Sequence, residues 1–349
     1  MHAKKIDKIA TGVLYAIAGI IVTILASLIL YILVRGLPHV SWTFLTSKSS
    51  SYQAGGGIGI QLYNSFFLLV ITLIISFPLS LGAGIYLSEY AKKGPLTNLV
   101  RTCIEILSSL PSVVVGLFGY LVFVVQFQYG FSIISGALAL TVFNLPQMTR
   151  NIEDSLQNVH HTQREAGLAL GISRWETVIH VVVPEALPSI ITGVVLASGR
   201  IFGEAAALIY TAGQSAPALD WSNWNLFSVT SPISIFRQAE TLAVHIWKVN
   251  SEGTIPDAIE VSAGSAAVLL IFILIFNFGA RKLGTYLHKK LTSAYKEKKC
   301  QSTIGMRNIS LLFLKKKWSF RPKTCMFTMV QMNPSKAWIC NLRRIKLQL

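Results

Sequence analysis

An all-α, polytopic membrane protein with six transmembrane helices is the fold class this sequence predicts, and three observations predict it. Hydrophobic residues make up 52% of the 349 residues and charged ones only 13%, with a mean hydropathy of +0.54, which disfavours a soluble domain. Long stretches free of Asp, Glu, Lys and Arg recur along the chain. Most reach the roughly 20 residues that a hydrocarbon core of about 30 Å requires. Lysines and arginines gather at the ends of these stretches and fall on one side if the helices alternate.

Taken in order, the first stretch runs from Ile9 to Val34, longer than a signal-peptide core, and predicts a membrane anchor. Ser49 to Ser88 enters through a Gly-rich segment, Gly55 to Gly59, and becomes an apolar helix from about Leu62. Ile106 to Thr149 is too long for one span. It suits the end of one helix and a complete second one, with a break near Gln126, Gln128 and Gly130. Ala186 to Ile209 follows, apolar except for Arg200 and Glu204, and the last span covers about Ala258 to Leu283.

Basic residues orient the set. Lys4, Lys5, Lys8, Lys92, Lys93, Arg101, Arg150, Arg164, Arg174, Arg281, Lys282, Lys289 and Lys290 share one side, against Arg35, Lys48, Arg237 and Lys248 on the other. Both termini are then cytoplasmic. Segments of about 36–60 and 213–256 are external, with Trp42, Trp221, Trp224 and Trp247 suited to the membrane interface. Three regions result: 1–60, an N-terminal helix and external loop; 61–290, a five-helix core with a cytoplasmic loop at 151–185; and 291–349, a basic tail. Ten cations and no acid follow residue 300, so the tail carries much of the formal +16 charge and reads as a disordered or non-native extension.

Several chemistries find no support. Cys103 stands alone in the body while Cys300, Cys325 and Cys340 lie in the tail, giving neither a disulfide framework nor metal-ligand spacing. His160, His161, His180 and His245 form no triad or metal pattern and read as surface residues. The closest string to a phosphate-binding loop, Gly279 to Thr285, lacks its lysine. The chain is therefore expected to have no catalytic residue, to hold no metal and to bind no cofactor itself.

Two features point to function. Between the fourth and fifth spans, Glu165 to Leu170 predicts a short helix, Gly171 a turn, and Ser173 with Glu176 three residues on a capped second helix. Such a pair lying parallel to the membrane can enter a groove on a cytoplasmic partner; an ordinary amphipathic loop is the alternative. Inside the fifth span, Arg200 costs roughly 2.5 to 3.5 kcal/mol on insertion scales. Glu204, four residues on, shares its helix face. Either the two form a structural ion pair, or Arg200 faces a water-filled path and offers donors to an oxyanion while Glu204 orients it.

The loop resembles that of ABC importer permeases. Glu165, Ala166, Gly167, then Gly171, then Val181, Val182, Val183 and Pro184 repeat the family spacing of Glu-Ala-Ala, three residues, Gly, nine residues, Ile-x-Leu-Pro, with Gly167 in place of the second Ala. Ile104 to Leu117, Leu145-Pro146 with Arg150, and Ala197 to Leu208 are similar to the A-type permeases of bacterial phosphate-specific (Pst) transporters, a resemblance covering about residues 10–290. It implies a type I ABC importer permease (MetI-like) fold, with Arg200 and Glu204 on the phosphate path and Glu165, Ala166, Gly167, Gly171 and Pro184 coupling to an ATPase. It further implies a second, C-type permease, an ATPase dimer carrying ATP and Mg, an external phosphate-binding protein, membrane lipid and no nucleic acid, in a bacterial or archaeal cell (inner) membrane. Alternatives are an ABC permease for another oxyanion or small solute, a channel or secondary transporter, and a membrane enzyme; several intramembrane charges or internal repeats would favour a channel or secondary transporter.

Overall fold

A computed structural model describes residues 2–49, 55–92, 94–253 and 256–286, most of which fall in helices, with a long non-helical segment at 210–241. The expected tail lies outside the described residues. Helix α1 (His2–Gly36) leads through a short 3-10 turn to α2 (Trp42–Thr46), capped by Ser41. Then come α3 (Gly59–Ile85), widening into a π turn at Tyr86–Tyr90, α4 (Pro95–Ser108), α5 (Ser112–Gly119) with a second π stretch to Gln126, and α6 (Ile133–Gln157). Helices α7 (His161–Ala169) and α8 (Arg174–Thr177) precede a third π turn, Val178–Val182, and α9 (Val183–Gly203). Short α10 (Ala206–Ile209), α11 (Leu242–Glu252) and α12 (Ala258–Tyr286) complete the bundle.

Among the described residues, four helical runs are long and apolar enough to cross a membrane: Ala10–His39, Gly59–Tyr90, Arg174–Gly203 and Ala258–Tyr286. The pair α4 and α5 makes a fifth if read as one span, but it bends by 98°. Leu110-Pro111 is the cause, since proline disfavours helical backbone in the residue before it and Pro111 is itself extended at ψ 136°. Ile106 to Gln126 is therefore not one straight helix. The remaining expected span is α6, 25 residues and so about 37 Å long. It carries Asn144, Gln147, Arg150, Glu153 and Asp154, and its Ile133, Ala137, Leu140, Met148, Ile152 and Leu156 are buried by protein. Neighbouring helices, more than lipid, solvate it.

Helices α3 and α6 form the central pair. On α3, Thr72, Ser76, Ser80 and Gly84 recur every fourth residue on a buried face, and no room remains for a Cβ at Gly84 because Ile152 of α6 occupies the space. Small residues at this spacing let membrane helices approach closely. A second core joins α3, α9 and α12 through Phe66, Phe202, Phe272 and Phe276, with ring centroids 5.1 to 6.3 Å apart. By contrast α1 leaves its apolar side chains exposed and docks at its end, where Gly36 meets Ala263 and Ala267 of α12.

The segment between α10 and α12 is stapled by polar contacts. Glu240 accepts from Gln61 Nε2 at 3.1 Å and pairs with His245 Nδ1 at 3.0 Å, both partners buried. His245 is thus a core residue and not the surface histidine expected; His160, His161 and His180 are exposed. Arg237 is wholly buried beneath Tyr63 and donates to the carbonyls of Pro232 and Gln238, and burial pushes its guanidinium down to about 10.

Candidate functional site

Two groups of residues stand apart from the packing core. The first surrounds Arg200. Helix α9 stops at Gly203, and Glu204 takes an extended backbone (φ −75°, ψ 124°), so the one-turn stacking expected of Arg200 and Glu204 is lost. Neither the structural ion pair nor the alternative in which Glu204 orients the guanidinium is formed, since the two side chains share no hydrogen bond or salt bridge. The Glu204 carboxylate instead accepts the N–H of Ala207 at 3.3 Å and opens α10. Arg200 leans on α6, where its Nη1 donates to Gln147 Oε1 and its guanidinium carbon sits 4.2 Å from the Phe143 ring centroid. Arg200 and Gln147 are exposed on the bundle surface. Among the described residues, no carboxylate lies within 4.0 Å of the guanidinium.

This arrangement holds a cation without neutralising it. An aromatic face and a neutral amide orient the fork, leaving its full charge and further N–H donors for an anion. Gln147 and Phe143 were not legible as site residues, although a Gln inside an apolar helix is the one signal they offered.

The second group is the hairpin after α6. Gly171 turns the chain at φ +78°, which a residue with a Cβ rarely adopts. Ser173 caps α8 through a full capping box with Glu176, as its spacing predicted. Gly167 is buried against Thr177, where an added Cβ would come within 2.7 Å of Cγ2 and 2.9 Å of Oγ1. The replacement of Ala by Gly is thereby accounted for, because α7 crosses α8 too closely for a methyl group. Glu165, Ala166, Leu168, Leu170 and Trp175 are exposed together on this hairpin.

Within the expected loop 151–185, α6 runs on to Gln157, α7 and α8 form the hairpin, and α8, the π turn and α9 follow one another from Arg174 to Gly203. Pro184 lacks an N–H and would leave a carbonyl unpaired in a regular α-helix; the π turn at Val178–Val182 ends two positions before it.

Arg164 fastens the hairpin to the bundle, a role the sequence did not reveal. Its Nε and Nη2 grip Glu89 at the end of α3 at 2.7 to 3.2 Å, and its Nη1 and Nη2 also donate to Val159 and Leu156 carbonyls beyond or at the end of α6, each at 2.6 Å. The side chains of Arg164 and Glu89 are only 15% and 7% exposed. From α8, Arg174 donates to the Glu89 carbonyl and lies 5.2 Å over the Tyr90 ring. Two arginines thus tie both hairpin helices to the ends of α3 and α6.

Comparison with known proteins defines the class. Residues 76–293 match the family described as "Binding-protein-dependent transport system inner membrane component". The chain is 55% identical over 293 residues to "Probable ABC transporter permease protein YqgI" of Bacillus subtilis, covering 84% of this chain and all of that one. It is 32% identical over 250 residues to "Phosphate transport system permease protein PstA" of Xylella fastidiosa, covering 71% and 82%, and 31% over 265 residues to "PstA 2" of Mycobacterium bovis, covering 75% and 82%. A solved bacterial alginate ABC transporter shares the fold with a TM-score of 0.58 at 13% identity over 82% of this chain and 96% of that one. The fold is that of a type I ABC importer permease, and the chain belongs to the binding-protein-dependent inner membrane component family. It is a membrane-spanning permease subunit, with PstA phosphate permeases among its homologues.

Proposed function

We propose that this chain is a permease subunit of an ATP-driven importer of inorganic phosphate. The observation that carries this reading is Arg200, a guanidinium in the last turn of an apolar span, held by Phe143 and Gln147 and left without a carboxylate among the described residues. Homologues named as phosphate permeases support the same substrate. Phosphate released at the outer face displaces the Gln147 carbonyl oxygen and takes charge-assisted hydrogen bonds from Arg200. Because the amide competes only as a neutral acceptor, the anion is held without a deep trap. A second permease completes the path on the open face that presents Arg200. An external binding protein delivers the phosphate, and both termini are cytoplasmic.

ATP and Mg2+ belong to a separate ATPase dimer. Its groove receives the hairpin face of Glu165, Ala166, Leu168, Leu170 and Trp175, all exposed in this chain. Closure of the ATPase moves α7, and Arg164 passes that movement to α3 and α6 through Glu89 and the α6 terminus. Uptake of labelled phosphate by the reconstituted complex tests the substrate. Arg200→Gln is expected to abolish uptake while the subunits still co-purify, and normal uptake by that variant would remove the phosphate path. A second reading is another oxyanion, between which and phosphate the relative at 55% identity, named without a substrate, does not choose. Competition of phosphate uptake by sulfate and arsenate separates the two, since a sulfate-selective path leaves phosphate transport weak in the wild type.

A further inference from the structure

Helix α4 carries a surface that neither the transport path nor the coupling hairpin uses. Leu96, Leu99, Val100, Cys103, Ile106 and Leu107 are all exposed and line one side of it. At 3.6 residues per turn they form a stripe roughly 120° wide. Arg101 and Glu105 lie on the opposite side and are tied to α6. Arg101 bonds Glu153 at 2.6 Å, and Glu105 accepts from Arg150 at 2.8 Å. The polar face is thus held inward against the polar end of α6, and the apolar face is held outward.

We propose that α4 lies flat in one leaflet of the bilayer, its apolar stripe seated among the upper acyl chains and headgroups, as an interfacial helix and not as part of a span. Length argues for this first, because its 14 residues reach about 21 Å, short of a hydrocarbon core of about 30 Å. Direction argues second: the 98° bend at Leu110-Pro111 sets α4 nearly square to α5. Depth argues third, since Arg150 and Glu153, which grip α4, begin the polar end of α6 from which the hairpin leaves, and a charged grip belongs at the interface and not in hydrocarbon. Charge argues fourth: exposed Lys92 just precedes the helix and suits anionic headgroups. An apolar stripe with a charged opposite face is the pattern of helices that lie in the interface plane. The leaflet is the one on the side of the coupling hairpin, because Arg101 also borders the space of about 440 Å³ between α4 and that hairpin, with Arg164 and Arg174.

Cys103, in the middle of the stripe, supplies the probe. In the complete transporter with cysteine-free partner subunits, Cys300, Cys325 and Cys340 are changed to Ser, and Cys103 is spin-labelled in bilayers containing anionic lipid. Collision with oxygen and with a water-soluble nickel chelate then gives depth. The expected result is a label at the headgroup-to-acyl boundary, shallower than one at Leu25→Cys in α1. A label at the bilayer centre would show α4 crossing, a label as open to nickel as one at Asn158→Cys would place it in water, and protection from both reagents would mean that another protein covers the stripe; each overturns the proposal. Should labelling at Cys103 disturb assembly, Leu99→Cys on a Cys103→Ser background reports the same face and has the same expected depth.

Discussion

At the scale of single residues, the Arg200 site predicts that charge and not shape limits transport. Gln147→Glu keeps the length of the side chain but gives the guanidinium a permanent counter-ion in a medium that favours ion pairing. Phosphate uptake is expected to fall about tenfold or more, whereas Gln147→Met, which adds no charge, costs far less; equal losses in a labelled-phosphate assay would contradict the mechanism. Gly167 gives an independent case. Gly167→Ala forces a methyl group against Thr177, an overpacking worth about 1 to 3 kcal/mol, and Thr177→Ala on the same chain is expected to restore thermal stability of the complex. Failure of that rescue in a melting experiment would mean that the glycine serves its partner and not the crossing of α7 and α8.

Among elements, the decisive joint is the arginine that binds α7 to two other helices. Removing one member of a buried ion pair costs about 3 to 5 kcal/mol, because the other charge is left without a partner. Arg164→Met is therefore expected to leave ATP hydrolysis running with little phosphate moved. Arg164→Lys is expected to do nearly as badly, since one ammonium cannot serve both the Glu89 carboxylate and the carbonyls of Leu156 and Val159 in the geometry of the fork. The ratio of phosphate imported to ATP hydrolysed is the readout, and a wild-type ratio in the lysine variant would show that the extra donors do not matter. This element was half legible. Gly171 and the Ser173–Glu176 cap were read correctly because turns and caps are local. Arg164 and Glu89 are 75 positions apart, and no periodicity connects them. The stacking of Arg200 on Glu204 was misread for the opposite reason: their spacing was right for a helix, but the helix ends one residue too soon, and Ala205-Ala206 contains nothing that signals a break.

For the molecule as a whole, apolar stretches located α1, α3, α9 and α12 and the break before α6, where Gln128 and Gly130 have φ of +56° and +65°. They also placed a helix after that break, which is α6, but were silent on the bend at Pro111 and on the eight further residues that carry α6 past Thr149 to Gln157. The family match ends at residue 293, and a relative covered over its full length takes only 84% of this chain. Deleting residues 295–349 is accordingly expected to leave assembly and uptake unchanged, as measured by co-purification and labelled phosphate. A loss of either would give the tail a function that relative lacks.

The wide turn at Val178–Val182 carries one more consequence. It takes five residues round roughly the arc that four cover in an ordinary helix. Removing Ile179 alone would therefore let the run from Arg174 close into a regular coil with the facing beyond it nearly unchanged, whereas removing Ile191 from the regular part of α9 would swivel everything beyond it by about 100°, so that the guanidinium pointed away from Phe143 and Gln147. No chemical group at either site would be missing, yet import would cease: here the bookkeeping of turns, as much as the identity of any side chain, aims the charge.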